Sequence, residues 1–107
     1  MKYEFVEFYP KSPDVKNERF LGTVHLYIID MNIDLRGILA VKMITPKNRD
    51  LHYLGYRFPG NTTIDEEGKR VFYPIINFVN PKDKKEWIDW MKKEVSPIIK
   101  ERLNLSY

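Results

Sequence analysis

The chain has no cysteine. Disulfides, thiolate nucleophiles, cysteine-ligated zinc and iron–sulfur clusters are therefore excluded. There is no run of about 18 apolar residues, so no segment is expected to cross a membrane as a helix. The first residues, MKYEFVEFYP, alternate apolar and charged groups and lack the apolar core of a signal peptide. With cysteine absent as well, the expected location is the cytosol. Histidine is scarce: His25 and His52 lie far apart and form no HxH, HExxH or HxxxH pair, so no metal site is expected. The five glycines are scattered and make no phosphate-cradling loop. Ser12, Ser96 and Ser106 have no base nearby in sequence. Neither catalysis nor a bound cofactor is expected.

What is present is a single globular domain spanning residues 1–107. The chain is 43% hydrophobic and 14% aromatic, well above the range of disordered segments. Lysine and arginine total 18 against 15 acids, a formal charge of +3. The isoelectric point near 9.1 is one sign of nucleic-acid binding. A charge of +3 is also what solubility alone requires. The distribution is more telling than the sum. Between Gly37 and Arg57 stand Lys42, Lys47, Arg49 and Arg57 against one acid, Asp50.

Three polar stretches read as loops: Pro10–Asn17, Pro46–Asp50 and Pro59–Gly68, the last with Gly68 as a positive-φ residue. Between them the chain reads as strands. Lys2–Tyr9 places Tyr3, Phe5 and Glu7 on one face. Arg19–Asp30 places Val24, Leu26 and Ile28 together. Asn32–Ile44 alternates over its whole length, with Ile33, Leu35, Leu39, Val41 and Met43 on one side and Asp34, Arg36, Ala40 and Lys42 on the other. Gly37 marks a bulge or bend in it. Asp30-Met31-Asn32 reads as a tight turn, and Asp30 and Asp34 as its flanking turn residues. Leu51–Phe58 and Arg70–Val79 complete the set, the latter demoted to an edge by Pro74. Asn80-Pro81 then opens a helix, with Asn as cap and Pro at the first turn. Trp87, Ile88, Met91, Val95, Ile98, Ile99 and Leu103 supply its apolar stripe, and Pro97 predicts a kink near Val95. The expected fold is therefore α+β: an antiparallel five-stranded sheet followed by a C-terminal helix. One helix covers one face, which leaves the other to solvent or a partner and makes a homodimer the expected assembly.

The groups best suited to a ligand are cations interleaved with aromatics. Arg36, Lys42, Lys47 and Arg49 follow one polar strand face and its loop; Arg57, Lys69 and Arg70 bracket the long loop. Tyr53, Tyr56 and Tyr73 lie among them, and Lys92 and Lys93 stand on the helix. Cations over a sheet with exposed aromatic rings suit phosphate contact and base stacking. The same aromatics would equally build a protein interface, with the basic residues serving only solubility.

From Leu35 to Leu103 the arrangement resembles the SpoVG family of small bacterial nucleic-acid-binding regulators. The residues that carry this are Arg36-Gly37-Ile38, the apolar strand ending Leu54-Gly55-Tyr56-Arg57-Phe58-Pro59, the Asp65–Gly68 loop, Tyr73-Pro74-Ile75 and the closing helix. The resemblance implies an antiparallel sheet with a C-terminal helix, a homodimer, and binding of DNA or RNA without catalysis. Two stretches depart from the family pattern. Gly60, Asn61, Thr62 and Thr63 stand where the family has a basic run, and Tyr73 where it often has histidine. Lys69 and Arg70 are then the nearest substitutes for the loop's phosphate contacts.

Overall fold

The computed structural model describes residues 1–74 and 76–107; at Asp50, Phe72, Tyr73 and Pro74 it describes the main chain alone. Six strands precede a helical rod: β1 (Tyr3–Pro10), β2 (Phe20–Ile28), β3 (Ile33–Thr45), β4 (Asn48–Arg57), β5 (Gly60–Ile64) and β6 (Arg70–Pro74). The rod comprises α1 (Pro81–Trp90), one π-helical turn (Met91–Val95) and α2 (Ser96–Leu103). Strands β1-β2-β3-β4 form an antiparallel sheet in chain order, and β5 and β6 pair only with each other. The α+β class and the C-terminal helix are as the sequence predicts.

The strand beginning at Arg70 is not part of the main sheet. It ends at Pro74 and pairs with Gly60–Ile64, a segment expected to be loop. Thr62, Thr63 and Ile64 are β-branched and favour extended backbone, which outweighs the breaking tendency of Gly60 and Asn61. The Asp65–Lys69 turn closes this hairpin. The Asp65 carboxylate accepts from the amides of Glu67 and Lys69 at 2.9 and 2.8 Å, and Gly68 takes φ +82°. Ile75 of the expected strand lies outside the described residues.

Three register shifts, between Phe5 and Glu7, Phe20 and Gly22, and Val24 and Leu26, reset which residues face the helix. In β1 the register shifts between Phe5 and Glu7, so Tyr3, Phe5 and Phe8 share the inner face, not Tyr3, Phe5 and Glu7. In the β2–β3 pair it shifts between Val24 and Leu26, opposite Arg36 and Gly37, and Gly37 takes φ +76°. An extra residue in a strand inverts everything beyond it. Leu35, Ile38 and Ala40 are buried under the helix, while Leu39, Val41 and Met43 pass to the opposite face. The bulge expected at Gly37 is present, and it breaks the face assignment that placed Ile33 and Leu35 with Leu39, Val41 and Met43.

The core lies between sheet and rod. Trp87, Met91, Val95 and Ile99 are buried at every fourth position and meet Phe8, Val24, Leu26, Ile38 and Leu54. A stripe at that spacing drifts around a 3.6-residue α-helix. The wider π turn slows the drift and keeps the stripe on the sheet. Within that turn the Ser96 amide reaches back to the Met91 carbonyl. Pro97, which has no amide proton, sits in the first turn of α2, so the rod continues through it. The Asn80 side chain caps α1 by accepting from the Lys82 amide at 2.9 Å. Among the described residues no helix is long and apolar enough to cross a membrane.

Candidate nucleic-acid interface

Among the described residues no helix packs on the face of the sheet away from the rod, and the β2–β3 bulges turn apolar side chains onto it. Phe20 pairs with Val41, Leu39 with Arg57, Val41 with Gly55 and Met43 with Tyr53. Paired residues project to the same side. The result is an open groove of about 600 Å³, floored by Phe20, Leu39, Val41 and Met43. Asn17, Arg19, Lys42, Ile44 and Arg57 complete its lining, and among the described residues no acid lines it. Arg19 and Arg57 are exposed. Arg19 is held in place through its carbonyl, which accepts from the Lys42 amide at 2.7 Å.

A second polar cluster lies on the same face toward the β2–β3 turn. His25, only 5% exposed, bonds through Nε2 to Oδ1 of Asp34. The other carboxylate oxygen of Asp34 accepts from Arg36 Nε at 2.9 Å. Arg36 first, and His25 second, hold the Asp34 carboxyl below its ordinary range. The ring of Tyr27 stands edge-on to His25 at 5.5 Å. The hydrogen bond and charge of the Asp34 carboxylate in turn hold the Arg36 guanidinium above its ordinary value. Asp34 is thus no turn residue; it anchors an arginine over a buried histidine.

The structure gathers some of the expected residues and scatters others. Arg57 and Tyr53 stand on the uncovered face. Lys92, exposed on the π turn, lines a smaller hollow with Tyr53, Tyr56, Arg57 and Ile88 at the β4 edge. Lys93 is exposed beside it in sequence. Arg36 belongs to the histidine cluster. Lys47 is exposed in the β3–β4 turn and Arg49 is exposed near the start of β4, which begins at Asn48, inside the stretch Pro46–Asp50 expected to be loop. Lys69 and Arg70 are exposed on the separate hairpin, with Lys69 Nζ 3.8 Å from the Glu67 carboxylate. Lys42 also lines the groove, although its pairing with the buried Leu54 sets it on the opposite strand face from Val41 and Met43. Tyr56 packs on the core and its hydroxyl lies 2.7 Å from Ser96 Oγ. Burial pushes its pKa up to about 12 against the lowering effect of that hydrogen bond. It is a structural residue, not an open stacking platform. The Tyr73 side chain lies outside the described residues.

Arg19 and Phe20 escaped the sequence reading, as did Tyr9, Tyr27 and the His25–Asp34 pair. Arg19 and Phe20 open β2 across from the bulged half of β3, and no local pattern announces that pairing. Comparison of the chain with protein-family models, curated proteins and solved structures returned no match.

Proposed function

We propose that the protein is a non-catalytic, cytosolic nucleic-acid-binding protein that receives its ligand on the uncovered face of the sheet. The supporting observation is the groove: an apolar floor containing one aromatic ring, lined also by Lys42 and two exposed arginines and, among the described residues, by no acid. Bases would lie against Phe20, Leu39, Val41 and Met43, with Tyr53 at the rim. Phosphates would meet Arg19 and Arg57, with Lys92 reaching over the β4 edge. Apolar floors with cationic margins suit bases and phosphates respectively. The resemblance to the SpoVG family points the same way. The test is fluorescence anisotropy with labelled single-stranded and duplex oligonucleotides of DNA and RNA over a salt series. Arg19→Ser and Arg57→Ser should each weaken binding and reduce the salt slope by about one. Absence of binding at low salt, or unchanged binding by the double variant, contradicts the proposal.

A second reading rests on a different patch. Met1, Met31, Ile33, Ile76 and Val79 are exposed, and all border a hollow of about 310 Å³ floored by Ile28, Leu35, Phe58 and Phe78. Exposed apolar groups with adaptable methionines mark protein-docking surfaces. On this reading the chain is an interaction module. Substituting Met31→Lys would then abolish partner capture in nuclease-treated extract and leave oligonucleotide affinity unchanged.

A further inference from the structure

We infer that the hollow at the β2–β3 turn end of the uncovered face receives one unpaired guanine base, with Tyr27 beneath the ring, Arg36 at its acceptor edge and Glu4 at its donor edge. The inference rests on the nucleic-acid reading above and adds a base preference that the groove does not supply.

The hollow has a volume of about 300 Å³, and Glu4, Tyr27, Ile29, Asn32, Ile33 and Asp34 are among its lining. Glu4 pairs with Tyr27 and Tyr27 with Asp34 across the sheet, so the three side chains project to one side. That side is also the side of the groove. Tyr9 pairs with Thr23 and Thr23 with Leu39 of the groove floor, and His25 and Tyr27 follow Thr23 at alternate positions of β2. A single strand laid along β2 therefore crosses both.

The polar groups suit a neutral base and not a phosphate. Glu4 and Asp34 line the hollow and, among the described residues, no cation does. Two carboxylates repel a phosphate. Arg36 stands beside them, its side chain 72% exposed. Its Nε donates to Asp34 at 2.9 Å, and Asp34 is pinned in turn by the buried His25. The terminal N–H groups of Arg36 have no partner among the described residues. A guanidinium held by Nε keeps its outer fork for a pair of acceptors. Guanine O6 and N7 form such a pair, whereas adenine sets a donor beside N7. The exposed Glu4 carboxylate also has no partner among the described residues and accepts from the N1 and N2 donors of guanine. In a duplex those donors are taken by cytosine, so the base must be unpaired. Tyr27, 42% exposed, supplies the ring on which it stacks.

The test is fluorescence anisotropy with the purified full chain and labelled thymine strands of about ten nucleotides. The central base is thymine, adenine, guanine or 7-deazaguanine. The guanine strand should bind about tenfold tighter than the adenine strand, which stacks equally but presents the wrong edge. Removal of N7 in 7-deazaguanine should lose most of that gain. Arg36→Lys keeps the charge without the fork, and Glu4→Gln removes the carboxylate. Each should bring the guanine strand to the adenine affinity and leave the thymine strand unchanged. Asp34→Ala, which releases Arg36, should lower the same preference without altering thymine binding. Equal affinity for guanine and adenine strands, or a preference untouched by Arg36→Lys, overturns the site and leaves the groove reading standing. An equal loss for every strand in these variants marks a backbone contact and overturns the base assignment. Guanosine monophosphate binding as tightly as the guanine strand assigns the hollow to free nucleotides and overturns the strand as carrier. No binding of any strand at low salt removes the nucleic-acid reading and this site with it.

Discussion

Tyr56 illustrates how a side chain suited to ligand binding in sequence becomes structural in the fold. Its ring lies on the helix side of β4 and its hydroxyl meets Ser96 across the core. The folded pKa, near 12, exceeds the unfolded value of 10. Its contribution is therefore complete below pH 10 and is lost as pH rises through 12. The amount at stake is on the order of 2 kcal/mol. Replacing Tyr56→Phe should cost about 1 kcal/mol at neutral pH by stranding the buried Ser96 hydroxyl. The same variant should lose less further stability than the wild type between pH 10 and 12 in urea unfolding. An equal alkaline loss in both would contradict the assignment. Gly22 makes a complementary steric case. A Cβ there would meet the Tyr9 carbonyl oxygen and come within 2.8 Å of Phe8 Cζ. Main chain cannot yield as a flexible side chain can, so Gly22→Ala should destabilise by about 3 kcal/mol in thermal or urea unfolding.

Among the elements, the helix was the most legible in sequence. Asn80-Pro81 sets its start, the apolar stripe sets its buried side, and Asn104 closes it at φ 53°. Asn80→Ala should cost about 1 kcal/mol in urea unfolding by freeing the Lys82 amide, and Asn80→Asp should restore most of it. The tight β2–β3 turn was also legible, with Asn32 at φ 53° and its amide on the Ile29 carbonyl. The strand faces were not. Alternation identifies a strand but does not carry across a bulge, and Gly37 marks where the phase breaks without saying which half is buried. That one residue decides whether Leu39, Val41 and Met43 are core or surface. The β5–β6 hairpin was hidden for a different reason: Gly60, Asn61 and the acidic turn outweighed two threonines and an isoleucine in a local reading.

For the whole molecule, the modest net charge conceals an uneven arrangement. Acids of the helix alternate with its lysines, and Asp65 is committed to the hairpin turn. Around the groove, arginines from β4 and from the residue preceding β2 stand without an acid among the lining residues. The sequence located Arg57 and the basic bias of Gly37–Arg57. It did not locate Arg19, because the β2–β3 pairing that delivers it is long-range. The molecule thus presents an apolar, arginine-bordered face on one side and a packed helix on the other. The most direct test of that account is amide chemical-shift mapping of the full chain during titration with a short oligonucleotide. The expected result is a set of salt-sensitive changes at Phe20, Leu39, Val41, Met43 and Tyr53, with α2 and the Asp65–Lys69 turn unmoved. Changes confined to the helix or hairpin, or none at low salt, would contradict it.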